Sequence, residues 1–556
     1  MPAGFLPSSD CLQRFARSLA SENEPGFAVG VYAGGDLVSH GAAGCAVPEH
    51  GVLVTEHTVF DIASVSKHMT AACLLLLARD GLIDLDADIR PALPELAVTA
   101  TVTLRQCLSH TSGLRDYFAL CEIAGIGVPG MTEERFTDLI TGQRDLDFPP
   151  GSAFSYCNTG YALASLLVRR ATGSGLAQVA AQRVFSPLGM TATHFRADVS
   201  RLVPRLAAGY VAAPGDEGPG FRRYDTTEEV IGDGAVVTSL ADLAAWHGFL
   251  ADGAVLGPDI RDGLTDARPL TDGSATGYGL GLQAIAVDHQ PAWWHSGSWA
   301  GYRAALISLP QHHAAVTVLA NRNDRYASLV ALAVAGAILT GDDPADLYRS
   351  LPGQAAGDTR AASAGAAALS GTWHEPDLDI FIDVAADGDQ LVVGAGGEAS
   401  AKERFFLAAD GRWLGVGPAA AGCYAIEGGD LVALSRLSGR TEGRYRRAEA
   451  GSGQAVPAGL YWNDELRAAA RVEAVNAGAR IAIGLAPARR LVPAGDGVWR
   501  CQGGEHPGAT PLTVRASGDG AELLVSAVGA RRVRFGKVTG SGQEPELPRG
   551  LRDWAR

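Results

Sequence analysis

Beyond residue 368 the chain stops reading as helix. Short stretches of alternating apolar and polar residues follow one another, broken by Asp387-Gly388, Asp410-Gly411, Gly428-Gly429, Asp496-Gly497 and Asp519-Gly520. Such dipeptides supply the positive φ angles of two-residue hairpin turns, so the pattern predicts an antiparallel all-β region. The preceding 345 residues have a different texture. Helical periodicity runs over 11–19, 64–79 (ending at Gly81), 242–250 and 325–339, and residues 100–200 are mainly helical. Strand patterns run over 26–32 and 37–41, around Gly34-Gly35, and again within 279–320. Strands at both ends of a region with a helical insert between them predict an α/β (α+β) sandwich whose sheet is assembled from distant segments.

A chain of 556 residues also exceeds the roughly 250–300 residues at which a single core stops growing. The expected division is a first domain over 1–345, an Ala/Gly-rich linker over 346–368, and two β domains over 369–449 and 456–545. The two β segments open alike, with Gly371-Thr372-Trp373 and Gly459-Leu460-Tyr461-Trp462, and close with basic strands at 444–447 and 532–537. A two-fold repeat of small antiparallel barrels fits this.

The balance of 46 basic against 61 acidic residues gives a net charge of −15, which argues against a nucleic-acid partner. The longest apolar runs, 71–78 and 329–339, fall short of the roughly 20 residues that span a bilayer. The N-terminus has no basic segment followed by an apolar one, so no signal peptide and a cytoplasmic location are expected. Eight cysteines contain no Cys-x-x-Cys pair; free, mostly buried thiols and no zinc site are expected.

Only three of the 46 basic residues are lysines: Lys67, Lys402 and Lys537. A chain that uses arginine wherever positive charge suffices keeps Lys67 in Ser64-Val65-Ser66-Lys67, one helical turn after a serine and on the same face. A serine hydroxyl needs a base to become a nucleophile. Arginine does not lose its proton in proteins, whereas a desolvated lysine can serve. Taken alone, the four residues also fit a helix cap followed by a solvated charge. Two further groups carry chemistry. Tyr156-Cys157-Asn158 offers a phenol for proton relay and an amide to hold a carbonyl; a turn Asn beside a core Tyr is the plainer alternative, and Tyr461-Trp462-Asn463 repeats the pattern. His295-Ser296-Gly297-Ser298 precedes a strand. Gly297 would let a substrate backbone approach, and the following N–H would serve an oxyanion. No Gly-x-Ser-x-Gly elbow, phosphate-binding Gly-x-x-x-x-Gly-Lys-Ser/Thr loop or His-Glu-x-x-His occurs.

In order and context these three groups resemble the motifs of the serine β-lactamase and penicillin-binding-protein family, with His295 where a lysine is usual. Within it the chain is most similar to the bacterial D-aminopeptidases, which carry a penicillin-recognising domain followed by two eight-stranded barrels. Gly113-Leu114-Arg115-Asp116-Tyr117, Gly232-Asp233-Gly234, Tyr278-Gly279-Leu280-Gly281-Leu282 and Tyr461-Trp462-Asn463-Asp464-Glu465-Leu466 add to the likeness. It implies Ser64 as nucleophile, Lys67 and Tyr156 as proton carriers, Asn158 on the substrate amide and His295 on the far wall. The N–H groups of Ser64 and Ser298 would form the oxyanion hole. It also implies a specificity loop from the third domain, best matched by Cys501-Gln502-Gly503-Gly504-Glu505-His506-Pro507-Gly508-Ala509-Thr510-Pro511. There Glu505 would receive the substrate ammonium, with Asp233 as a second partner. The implied activity is metal-free and cofactor-free removal of N-terminal D-residues from small peptides, amides or esters, by a homodimer. An esterase, a D-amino-acid amidase or a D,D-peptidase- or β-lactamase-related hydrolase on the same scaffold is the alternative. A non-enzymatic binding protein is a third reading, opposed by the presence of all four of Ser64, Lys67, Tyr156 and Asn158.

Overall fold

The computed structural model describes residues 6–213, 220–324, 326–351, 365–376, 380–394, 402–407, 412–416, 422–435, 441–448, 456–475, 478–484, 486–495, 497–502, 512–527 and 529–538. Helix α1 (Ser9–Leu19) starts where the Ser8 hydroxyl accepts the Cys11 N–H, and it buries Leu12, Phe15 and Leu19. The hairpin β1 (Phe27–Ala33) and β2 (Asp36–Ala43) follows. Next come α2 (Lys67–Arg79) and a helical lobe containing α3 (Tyr117–Ala124), α4 (Glu133–Thr141) and α5 (Asn158–Thr172). The chain then returns through α6 (Leu240–Asp252) to strands β3 (Gln283–Val287), β4 (Gln290–Trp299), β5 (Tyr302–Leu309) and β6 (Ala314–Ala320), and to α7 (Ala327–Thr340).

These six strands form one antiparallel sheet in the order β3-β4-β5-β6-β1-β2. The first strand therefore lies against the last, from Phe27 opposite Ala320 to Ala33 opposite Ala314. Successive side chains of a strand point to opposite faces. In β1, Phe27, Val29 and Val31 pack with Leu12 and Phe15 of α1 and Val330 and Val334 of α7. Ala28 and Tyr32 pack on the other face in the cluster that holds Met69 of α2 and Trp246 of α6. A strand covered on both faces has no polar side, which is why β1 reads as an unbroken apolar run. Each of Phe27, Val29 and Val31 contributes about 1.5–3 kcal/mol by leaving water.

Strand β4 departs from the sequence expectation. His295, Ser296, Gly297 and Ser298 lie inside it, not before a strand. Small and polar residues there mimic a loop, but a strand passing close behind another backbone needs small residues. Helical structure also continues past 345, because Asp343 caps a further helix, Pro344–Ser350, by accepting the Ala345 N–H.

Two closed eight-stranded barrels follow, each an antiparallel meander. The first runs from Gly371–Glu375 to Thr441–Arg447 and closes by Trp373 opposite Arg447. The second runs from Gly459–Asn463 to Ala530–Lys537 and closes by Tyr461 opposite Lys537. The first barrel has its own core around Trp373, Leu391, Phe405 and Trp413. The core of the second, with Val472, Ile481, Val525 and Phe535, is continuous with that of the helical lobe. Among the described residues no helix is long and apolar enough to cross a membrane.

Candidate active site

Ser64 sits on a 3-10 turn, Ala63–Ser66, and α2 begins only at Lys67. The sequence predicts an α-helix from residue 64; the tighter turn follows from Ala63, held in the left-handed region at φ 47°. A non-glycine residue there costs about 1–3 kcal/mol and persists only where its surroundings fix it. The Asp61 carboxylate accepts the Ala63 N–H at 2.8 Å. The Ser66 hydroxyl donates to the Ala63 carbonyl at 2.6 Å and accepts the Val236 N–H at 3.0 Å. Gly297 backs the turn: a Cβ at this position would lie 2.1 Å from the Ile62 carbonyl oxygen. Its missing side chain thus lets β4 approach the serine turn, a different use from the expected approach of substrate.

Lys67 is fully buried. Its Nζ donates to Ser64 Oγ at 3.1 Å, to Asn158 Oδ1 at 2.9 Å and to the Asp233 carbonyl at 2.6 Å. An ammonium has three protons, so each has an acceptor. Loss of the proton facing Ser64 would leave a lone pair aimed at the hydroxyl. The same Nζ lies 4.9 Å from the centre of the Tyr156 ring. Tyr156 is 39% exposed, at the mouth of the cleft.

Asn158 opens α5, and its orientation is set by Asp116. The backbone N–H and Nδ2 of Asn158 both donate to Asp116 Oδ2, at 2.5 and 3.0 Å, which turns Oδ1 toward Lys67. Asp116 also caps α3 by accepting the Phe118 N–H at 2.9 Å. Burial pushes its carboxyl up to about 6, against the pull of the Asn158 and Phe118 N–H groups. Beside it the Tyr117 hydroxyl donates to Asp233 Oδ2 at 3.0 Å. Burial raises the Asp233 carboxyl too, and the Lys67 charge opposes that rise.

His295 Nδ1 donates to the Ser296 carbonyl at 2.7 Å, which leaves Nε2 to accept the Tyr278 hydroxyl at 2.9 Å. Burial, reinforced by the Lys67 charge, pulls this imidazole down to about 3. His295 is therefore neutral near pH 7 and does not reproduce the charge of the lysine usual at this motif.

Ser64, Tyr156, Asn158, Asp233, His295 and Ser298 all line one cleft of about 560 Å³. Glu505, with residues 503–511 of the expected specificity loop, lies outside the described residues. Cys501 belongs to the barrel core and Gln502 ends the strand leading to that loop. Other residues of the cleft have no role assigned from the sequence, among them Phe118, Glu228, Tyr278 and Trp299. Glu228 accepts the Trp299 indole N–H at 2.8 Å, and burial raises its carboxyl. Nothing in Thr226-Thr227-Glu228-Glu229 marks it. Asp116 does carry a signal, as an Asp before an apolar helix, but a cap does not announce a second partner 42 residues away.

A family model described as Beta-lactamase matches residues 12–339. A D-aminopeptidase of Cereibacter sphaeroides is 28% identical over 528 residues, covering 92% of this chain and 96% of that protein. The octameric penicillin-binding protein homologue from Pyrococcus abyssi superposes with a TM-score of 0.55 at 20% identity, over 78% of this chain and 99% of that one. The D-amino acid amidase from Ochrobactrum anthropi SV3 does so with a TM-score of 0.51 at 24% identity, over 59% and 97%.

Proposed function

The chain belongs to the beta-lactamase family, and on that premise we propose that it is a serine hydrolase releasing N-terminal D-residues from small peptides, amides or esters. The observation that carries this reading is buried Lys67, with one of its three protons directed at Ser64 Oγ 3.1 Å away. With Lys67 in its neutral form, Ser64 attacks the substrate carbonyl as its proton passes to the lone pair on Nζ. The Lys67–Tyr156 pair returns a proton to the leaving amine, and water then hydrolyses the acyl-enzyme. The N–H groups of Ser64 and Ser298 receive the oxyanion, and Asn158 holds the substrate amide as well as Lys67. Likeness to a protein named D-aminopeptidase along 92% of the chain supports the D-preference.

A substrate with a free α-ammonium wants a carboxylate where water is scarce. Asp233 and Glu228 are two buried carboxylates lining the cleft with Ser64, and Glu505 is the third candidate. Glu228→Gln keeps the shape and removes the charge. It is expected to raise KM for a free D-amine substrate about tenfold, the worth of one charge-assisted hydrogen bond. Turnover of the N-acetylated analogue should stay unchanged; an equal effect on both substrates would assign Glu228 to wall structure alone.

The test of the function is hydrolysis of D-alanine p-nitroanilide beside its L-enantiomer and an N-acetylated D-form. Turnover of the free D-amine alone, abolished in Ser64→Ala, is the expected result. Equal turnover of the acetylated form would move the reading to a general amidase or esterase. No turnover of any of the three would overturn the aminopeptidase.

A further inference from the structure

The hexapeptide Tyr461-Trp462-Asn463-Asp464-Glu465-Leu466 of the second barrel has no part in the chemistry above, and its place in the fold gives it another role. Asn463 Nδ2 donates to the Arg534 carbonyl at 2.6 Å, and Leu466 is buried in the core shared with the helical lobe. Between them Glu465 faces the lobe, where Oε2 accepts Arg115 Nη1 at 3.3 Å. The same guanidinium reaches Asp147 Oδ1 at 3.4 Å and the Arg531 carbonyl at 3.2 Å. The Arg531 N–H in turn donates to Asp147 at 2.8 Å. The Arg115 and Asp147 side chains are 4% and 2% exposed. A buried ion cluster tolerates little displacement, because any shift leaves a charge without its partner.

The next residue, Asp116, is held by the same barrel. Its N–H donates to the Gly529 carbonyl at 2.7 Å. Gly529 has φ +91°, and a Cβ there would lie 2.9 Å from Asp116 Cβ. At the far end of α3, Arg489 of the barrel pairs with Glu122 at 2.7 Å. The barrel thus grips α3 at both ends, and its first end carries the carboxylate that orients Asn158.

We propose that the second barrel positions the catalytic lysine: the Gly529 carbonyl, locked in place by the Arg115–Asp147–Glu465 cluster, fixes Asp116 so that Asn158 presents Oδ1 to Lys67. Gly529, Arg115 and Glu465 are positioning residues, and none touches substrate. The inference rests on the Ser64–Lys67 reading but not on the D-substrate.

The experiment uses the full chain with Gly529→Ala and, separately, Glu465→Gln. Active sites are counted with a fluorophosphonate carried to completion. Acylation of Ser64 by p-nitrophenyl acetate is then timed per titrated site, beside kcat and KM for D-alanine p-nitroanilide. A misplacement of about 1 Å can cost about 100-fold in rate. Gly529→Ala is expected to slow acylation about 10- to 100-fold with KM within about threefold, and Glu465→Gln about 3- to 10-fold in the same sense. A barrel with a merely structural role would lower the unfolding midpoint and leave the rate per titrated site at the wild-type value, which overturns the proposal. Should Gly529→Ala fail to fold, Glu465→Gln decides alone. If the wild type is acylated by the ester but ignores the anilide, the substrate reading fails and the positioning comparison is made on the ester. A wild type whose Ser64 is not acylated at all overturns both.

Discussion

Lys67→Arg, which keeps the charge, is expected to lower kcat/KM for D-alanine p-nitroanilide about 10²- to 10⁴-fold, the range contributed by a positioned acid–base group. The loss has two sources. Arginine does not give up its proton, so nothing can receive the one from Ser64. The site is also built for a compact ammonium, with acceptors from three different elements: Ser64 Oγ, Asn158 Oδ1 and the Asp233 carbonyl. A planar guanidinium cannot place three donors in that arrangement. The larger group overpacks a fully buried position, for which about 1–3 kcal/mol of stability is the usual cost. The variant should therefore fold, and its thermal transition is the control. Lys67→Ala separates the two sources. A small primary amine added to that variant should restore part of the rate, because it supplies a neutral base without the tether. Retention of more than about a tenth of wild-type kcat/KM in Lys67→Arg, per titrated site, would remove Lys67 from the role of base.

The scarcity of lysine makes Lys67 legible from the amino-acid sequence alone. Hairpin turns announce the barrels, and the strand patterns at 26–32 and within 279–320 announce a sheet closed from its two ends. What stays illegible has physical reasons. Strand β4 hides because Gly297 sits against the Ile62 carbonyl and Ser296 and Ser298 line the cleft, and these are residues that loops also use. Ala63 gives no warning of its left-handed conformation, since the Asp61 and Ser66 contacts impose it from outside. Glu228 looks like any solvated acid until Trp299 covers it. Asp116 reads as a helix cap and is one; its larger task depends on Asn158, Gly529 and Arg115 meeting around it, which no local pattern contains.

Asp116 also makes activity and stability respond to pH in opposite senses. Its carboxylate is held by donors: Phe118 N–H on Oδ1, and the backbone N–H and Nδ2 of Asn158 on Oδ2. A proton added to the carboxyl would face one of these donors, loosen Asn158 and take an acceptor from Lys67. The groups around it pull both ways. Burial comes first and raises it, the Asn158 and Phe118 N–H groups lower it, the Asp233 carboxylate raises it and the Lys67 ammonium lowers it, with a balance near 6. Activity should fall as pH drops through about 6. The folded-state value lies above the ordinary 3.8, so the folded chain binds this proton more tightly than the unfolded chain does. The stability contributed by Asp116 is complete below the ordinary value and is lost as pH rises through 6, an amount of about 3 kcal/mol. The site therefore works in the protonation state that the fold disfavours. Asp116→Asn tests this, since it fixes the neutral form. It should lower kcat about 10²- to 10³-fold near pH 7 and erase the acid limb, leaving a residual rate flat to about pH 5. Its unfolding free energy near pH 7 should be no more than slightly below wild type, because the gain from removing a buried charge offsets one donor left facing an amide. An acid limb that persists near 6 in this variant would place the titrating group elsewhere, with Asp233 and Glu228, both raised by burial, the next to replace.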